Sequence, residues 1–94
     1  MIILNWSSSY KKSYKKTIKN NSTLESKILQ TMKLLQQDPF LPKLKTHKLK
    51  GILEDNWACY VDYDLRIVFD FVKNKSTDET EILLLNLGSH DEVY

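Results

Sequence analysis

Six residues near one end of the chain, Ile82-Leu83-Leu84-Leu85-Asn86-Leu87, constrain the fold more than any others. Five of them are large aliphatics, so alternation cannot give the segment one wet face and one dry face. A strand of this kind is stable when both faces are covered, which predicts a central strand over Glu81 to Leu87. The run exits into Gly88-Ser89-His90-Asp91-Glu92-Val93-Tyr94. A rigid strand that ends in Gly-Ser-His delivers a titratable ring, His90, to the edge of a sheet.

The other elements follow from periodicity. Met1 to Trp6 reads as a short first strand, and Ser7-Ser8-Ser9 offers N-caps for a helix. Tyr10, Tyr14 and Ile18 fall on one face of that helix at i, i+4 and i+8. Asn20-Asn21 breaks it. Ser22-Thr23-Leu24-Glu25 has the form of a capping box, with Ser22 as cap, and opens a second helix with Leu24, Ile28, Met32 and Leu35 in one stripe. Asp38-Pro39 ends that helix, because a residue before proline avoids the α region. Two helices joined by a tight link pack as an antiparallel hairpin. Phe40 to Gly51 is a lysine-rich connection that Leu44 and Leu49 anchor to the core.

Two further strands precede the apolar run. From Trp57 to Asp62, Trp57, Cys59 and Val61 share one face, with Ala58, Tyr60 and Asp62 on the other. Tyr63-Asp64 turns the chain. In the next strand Ile67, Phe69 and Phe71 face the core, and Arg66, Val68 and Asp70 face the open side. The pattern β-α-α-β-β-β predicts a single α+β domain over residues 1–94. Its sheet is expected to be mostly antiparallel, with the N-terminal helical hairpin on one face.

Composition narrows the function classes. No apolar run approaches the roughly 18 to 20 residues that span a bilayer, so no membrane role is expected. Cys59 is the only cysteine; it allows no internal disulfide, fits a reducing cytoplasm and reads as a small buried hydrophobe. No Cys/His cluster has zinc spacing and no Gly-rich phosphate loop occurs, so neither a metal nor another cofactor is expected. The net charge of +2 hides a split: residues 1–50 carry a balance of +9 and residues 51–94 a balance of −7. Lys11, Lys12 and Lys15 on the first helix, and Lys43, Lys45, Lys48 and Lys50 in the connection, form a basic surface suited to a polyanion or an acidic protein segment. The same lysines also suit a solvated face.

One constellation suggests chemistry. His47 and His90 both fall in segments expected at a sheet edge, Arg66 opens a strand on the open face, and Asp64 precedes it. Cleavage of RNA at its own 2′-hydroxyl needs a base, an acid for the departing 5′-oxygen, and a fixed cation at the phosphorane. Histidine, with an ordinary pKa of about 6.5, suits the first two roles. Arginine suits the third. Asp64 is a second candidate base, or holds a histidine in one tautomer, and Tyr94 is a candidate for base stacking or a phosphate hydrogen bond. The plainer alternative is structural: His90 closing a strand, Arg66 paired with Asp64 or Asp70, Tyr94 in the core.

Five segments in register resemble a known family. Trp6-Ser-Ser-Ser-Tyr-Lys-Lys-Ser-Tyr-Lys-Lys16, Asp38-Pro39, His47-Lys-Leu-Lys-Gly51, Asp64-Leu-Arg-Ile-Val-Phe69 and Leu87-Gly-Ser-His-Asp-Glu-Val-Tyr94 follow the order seen in RelE-superfamily toxins of type II toxin–antitoxin modules, and look most like the YafQ branch. The resemblance implies a microbial-RNase-like fold and a ribosome-dependent mRNA endoribonuclease acting at the 70S A site, with 16S rRNA contacts. It also implies a cognate antitoxin, with the toxin monomeric alone and part of a larger complex when neutralised. His47 and His90 match the branch's catalytic histidines, Asp64 its acidic residue, and Tyr94 its terminal aromatic. Arg66 matches the arginine that RelE and YoeB use at the start of the same strand. The branch has another histidine where this chain has Tyr60, and another aspartate where it has Ala58. His90 is then the expected acid, and His47 or Asp64 the base. Two readings compete: a ParE-like gyrase poison on the same fold, and a noncatalytic RNA- or protein-binding module.

Overall fold

The structure, a computed structural model, describes residues 1–50 and 56–89. Its elements are β1 (Leu4–Trp6), α1 (Ser8–Ile18), α2 (Ser22–Gln37), a 3-10 helix (Pro42–Leu44), β2 (His47–Lys48), β3 (Trp57–Asp62), β4 (Leu65–Lys73) and β5 (Thr80–Gly88). The strands form one sheet in the order β1-β5-β4-β3-β2. Only β1 and β5 pair in parallel; β5–β4, β4–β3 and β3–β2 are antiparallel. The α+β expectation holds, with a short β2 and a 3-10 turn added inside the lysine-rich connection.

The apolar run is interior, flanked by β1 and β4, and its one polar residue explains an irregularity. The β4–β5 register shifts between Val68 and Phe69, whose partners are Asn86 and Leu84, so Leu85 is the extra residue of a bulge. Strict alternation after Ile82 and Leu84 would turn Asn86 inward. The bulge instead puts Leu87 in the core, 4% exposed, and leaves Asn86 in solvent.

Both helices lie on the face formed by Cys59, Ile67, Phe69, Ile82, Leu84 and Leu87, and they bury Tyr10, Ile28, Met32 and Leu35 against it. Two hydrogen bonds fix their direction. The Tyr10 hydroxyl donates to Met32 Sδ at 3.3 Å and the Tyr14 hydroxyl to Glu25 Oε2 at 2.8 Å. Advancing along α1 therefore means retreating along α2, which makes the hairpin antiparallel. Burial pushes the Tyr10 phenol far above its ordinary pKa, and burial followed by the Glu25 carboxylate pushes Tyr14 up to about 12.

The caps differ from the expected ones at α2. Ser7 caps α1, accepting the Tyr10 N–H at 3.0 Å. At α2 the cap is Asn21, whose Oδ1 accepts the Leu24 N–H at 3.0 Å; Ser22 is already the first helical residue. The Ser22–Glu25 capping box does not form, because Asn21 caps as well as serine and Glu25 is recruited across to Tyr14. Asn20, at φ 57°, takes the left-handed turn between the helices, a conformation asparagine tolerates.

The opposite sheet face carries a second, smaller cluster of Leu49, Ala58 and Val68, with Leu85 packed against it. Leu44 and Leu49 do anchor the connection, but on different faces: Leu44 enters the helix-side core and Leu49 the other. Between them the chain crosses the β2 edge of the sheet, leaving the residues of that crossing beside the uncovered face.

Candidate functional site

Strand register decides which side chains meet on that face, since residues directly opposite one another point the same way. His47 lies opposite Ala58, Ala58 opposite Val68, Tyr60 opposite Arg66, and Arg66 opposite Gly88. Ala58 and Val68 belong to the second cluster, so His47, Tyr60 and Arg66 share its face. A cleft of about 550 Å³ opens there, lined by Lys45, His47, Lys48, Leu49, Lys50, Tyr60 and Arg66. His47 and Arg66 lie two strands apart and two residues out of line along them, with Tyr60 of β3 on the strand between.

The local chain geometry explains how the lysine-rich connection supplies this wall. Pro42 starts a 3-10 turn, for which its fixed φ is suited. The turn closes on Lys45 at φ 49° and ψ 38°, left-handed backbone that costs a non-glycine residue about 1 kcal/mol. That reversal carries the chain into β2. Lys45 Nζ lies 5.0 Å from the Tyr60 ring centroid, and Arg66 Cζ lies 4.8 Å from it.

His47 is exposed, and its Nδ1 lies 2.8 Å from the Lys45 carbonyl. A carbonyl only accepts, so Nδ1 carries the proton and the neutral ring has its lone pair on Nε2. Arg66 is half-buried. Its Nη1 donates to the carbonyls of Asp62 (2.7 Å), Leu65 (3.1 Å) and Tyr63 (3.4 Å). Among the described residues every hydrogen bond of the guanidinium comes from Nη1, so the group is fixed at one corner by the β3–β4 turn, with Nε and Nη2 along its other edge. The cleft thus holds one guanidinium, three ammonium groups and an imidazole, with no carboxylate among its described lining residues.

The other expected site residues separate. Asp64, exposed in the turn, lines a different depression of about 360 Å³ together with Ser13, Lys16, Thr17, Asn86 and Gly88. Lys43 is exposed on the 3-10 helix. Lys11, Lys12 and Lys15 are exposed on α1, across the sheet from the cleft, so the basic residues form two surfaces. His90 and Tyr94 lie outside the described residues. Gly88, two positions before His90 in sequence, is the β5 partner of Arg66. Tyr60 is a cleft residue that the sequence does not mark as one, although alternation puts it on the face away from Cys59 and on the side of Arg66. Among the described residues no group of three His, Cys, Asp or Glu is placed to hold a metal ion. No helix among them is long and apolar enough to cross a membrane.

Comparison with solved structures gives the class. YafQ from E. coli BL21(DE3) matches with a TM-score of 0.77 at 16% identity, over 100% of this chain and 99% of that one. A YoeB/ParE toxin from Agrobacterium tumefaciens matches with a TM-score of 0.75 at 20% identity, over 95% and 99%. A metal-bound toxin from Helicobacter pylori matches with a TM-score of 0.70 at 31% identity, over the whole of both chains. No curated protein sequence matches. The fold is that of RelE-superfamily toxins. More narrowly, the sequence model described as the bacterial toxin of the type II toxin–antitoxin system, YafQ, matches residues 3–94, and the chain belongs to that family.

Proposed function

We propose that this toxin is a ribosome-dependent mRNA endoribonuclease whose reaction runs in the His47–Tyr60–Arg66 cleft. The observation that carries the reading is the composition of that cleft: an imidazole whose Nδ1 lies against the Lys45 carbonyl, an arginine anchored at one corner, and three lysines. Phosphodiester cleavage calls for an imidazole and a fixed guanidinium facing one cavity, and gyrase binding requires neither.

His47 Nε2 takes the proton of the 2′-hydroxyl. The 2′-oxygen bonds to phosphorus and the bond from phosphorus to the 5′-oxygen breaks. His90 gives its proton to that leaving oxygen, so the products are a 2′,3′-cyclic phosphate and a 5′-hydroxyl. The Nε–Nη2 edge of Arg66 faces the charge that builds on the phosphorane, where a planar fork matches two phosphate oxygens. Each proton transfer has its own side chain, so no metal ion is required. His47, within the cleft, is better placed as base than Asp64, which lines the neighbouring depression. Tyr94 packs against a base or phosphate of the message.

Lys45, Lys48 and Lys50 hold the flanking phosphates. Lys43 and the α1 lysines Lys11, Lys12 and Lys15 meet 16S ribosomal RNA, since a message in the 70S A site is approached from more than one side. The protein works in the cytoplasm. A cognate antitoxin neutralises it; a solved structure of the E. coli DinJ–YafQ toxin–antitoxin complex, at 18% identity and a TM-score of 0.75, supports such a partner.

The test is short induction in cells with mapping of RNA 5′ ends within minutes. The wild type is expected to cut translated messages, and His47→Ala and His90→Ala to abolish the new ends. Arg66→Ala is expected to slow cleavage about 10²–10³-fold. Intact messages with trapped gyrase–DNA complexes overturn the reading, as does growth arrest that survives both histidine substitutions.

A further inference from the structure

Tyr60 supplies the one phenol ring among the cleft's described lining residues, and two cations from two different segments converge on it. Lys45 reaches it from a left-handed residue after the 3-10 turn. Arg66 reaches it from the directly opposed position on β4. Both charges fall within 5.0 Å of one ring centroid, so they are within ~10 Å of each other while carrying like charge. Left to themselves they repel, and the exposed lysine swings into water. An aromatic face, electron-rich at its centre, attracts both.

We propose that Tyr60 is a positioning residue, built to hold Lys45 and Arg66 as a preset pair of cations for the scissile phosphate and its neighbour. The claim rests on the endoribonuclease reading of the cleft. It gives Tyr60 a job unlike that of a proton-transferring histidine: the ring's faces act, and the hydroxyl does not. Three observations support it independently. Tyr60 is half-buried on β3 and paired with Arg66 of β4, so the sheet sets where the ring starts from. The Arg66 guanidinium is tethered at Nη1 to three carbonyls, so the ring contact determines the tilt of its remaining edge. Lys45 occupies strained backbone that aims its side chain over the ring in place of a freer direction.

The experiment compares Tyr60→Leu with Tyr60→Phe. In the free protein, NMR should show the Lys45 ε-methylene protons shifted upfield by the ring in the wild type and in Tyr60→Phe, and unshifted in Tyr60→Leu. With saturating ribosome–mRNA complexes, Tyr60→Leu should slow single-turnover cleavage about tenfold, and Tyr60→Phe should restore most of that loss with an unchanged pH–rate profile. In an Arg66→Ala background the Leu substitution should lose the part of its effect that runs through the arginine and keep only the part that runs through Lys45. Thermal melts of both variants confirm folding.

Three results overturn the proposal. Tyr60→Phe as slow as Tyr60→Leu, or with a displaced pH limb, assigns the role to the hydroxyl. A Tyr60→Leu effect of full size without Arg66 removes the arginine from the argument. A rise in KM alone, with kcat kept, makes the ring a base-stacking platform. If the wild type cleaves no message, the endoribonuclease reading itself fails. The NMR arm then decides the positioning role: Lys45 ε-methylene protons shifted upfield in the wild type and Tyr60→Phe but not in Tyr60→Leu support it, and unshifted protons in the wild type overturn it.

Discussion

Lys45 shows how a single residue can be held in an unfavourable conformation for what its side chain does. Its left-handed backbone suits glycine better than lysine. Lys45→Gly is therefore expected to leave stability unchanged or raise it by about 0.5–1 kcal/mol, read by denaturant melts, while RNA affinity falls. Loss of stability would show that the side chain supports the fold instead. Cys59 is the opposite case. Burial pushes its thiol up to about 12, only partly offset by the Ile67 backbone and Arg66, so the native protein should resist alkylation at neutral pH until it unfolds. That behaviour was legible from one cysteine in an alternating apolar strand. The Lys45–Tyr60–Arg66 convergence was not: alternation gives the face of Tyr60, but only the handedness of the turn at Lys45 brings the lysine to it.

The elements themselves were largely readable, because their signals are local. Helix periodicity, the Asp38-Pro39 stop and the Tyr63-Asp64 turn act within a few residues of chain. The cap of α2 was misread by one residue because two adjacent residues are both good caps. Asn21→Ala should cost about 1 kcal/mol of stability, and Ser22→Ala less than about 0.5 kcal/mol, in chemical denaturation. The reverse order would restore the capping box. The β2 strand was missed because two residues carry no period; it exists through pairing with β3, which is a tertiary signal. The bulge at Leu85 was foreshadowed by Asn86, the one polar residue in an apolar run, although only the fixed positions of Leu84 and Leu87 show where the extra residue falls.

At the scale of the whole molecule, two carboxylates tie distant parts together. Glu81 accepts the amides of Asn5 at 2.9 Å and Asn74 at 2.8 Å, joining β1, β5 and the β4–β5 turn. Asp62 accepts the Tyr63 N–H at 2.7 Å and pairs with Lys27 of α2 at 3.1 Å. Those partners hold both carboxyls below the usual carboxylate range: Asn5 then Asn74 for Glu81, and Tyr63 then Lys27 for Asp62. A carboxyl that binds its proton more weakly in the fold contributes stability above its unfolded pKa and loses it as pH falls through the folded value. The melting temperature should therefore drop as pH falls below about 4, and Glu81→Gln should flatten that drop. An unchanged acid limb would remove Glu81 from the explanation. The parallel β1–β5 pairing belongs to this scale too. Nothing near Leu4 in the sequence says that its partner is Ile82, because strand direction is settled by how the helical hairpin returns the chain.

That pairing has a consequence for when the protein comes into being. β1 leaves the ribosome before β5 and waits for it: Ile82 donates to the Ile3 carbonyl, and Ser7 to that of Leu84. At ordinary rates of synthesis that wait is about 4–15 s. Gly88, which flanks Arg66, arrives with the same strand. A half-made chain therefore has neither a closed sheet nor a finished cleft. The ribosome that translates this toxin has passed the codons of β5 before the product closes its sheet.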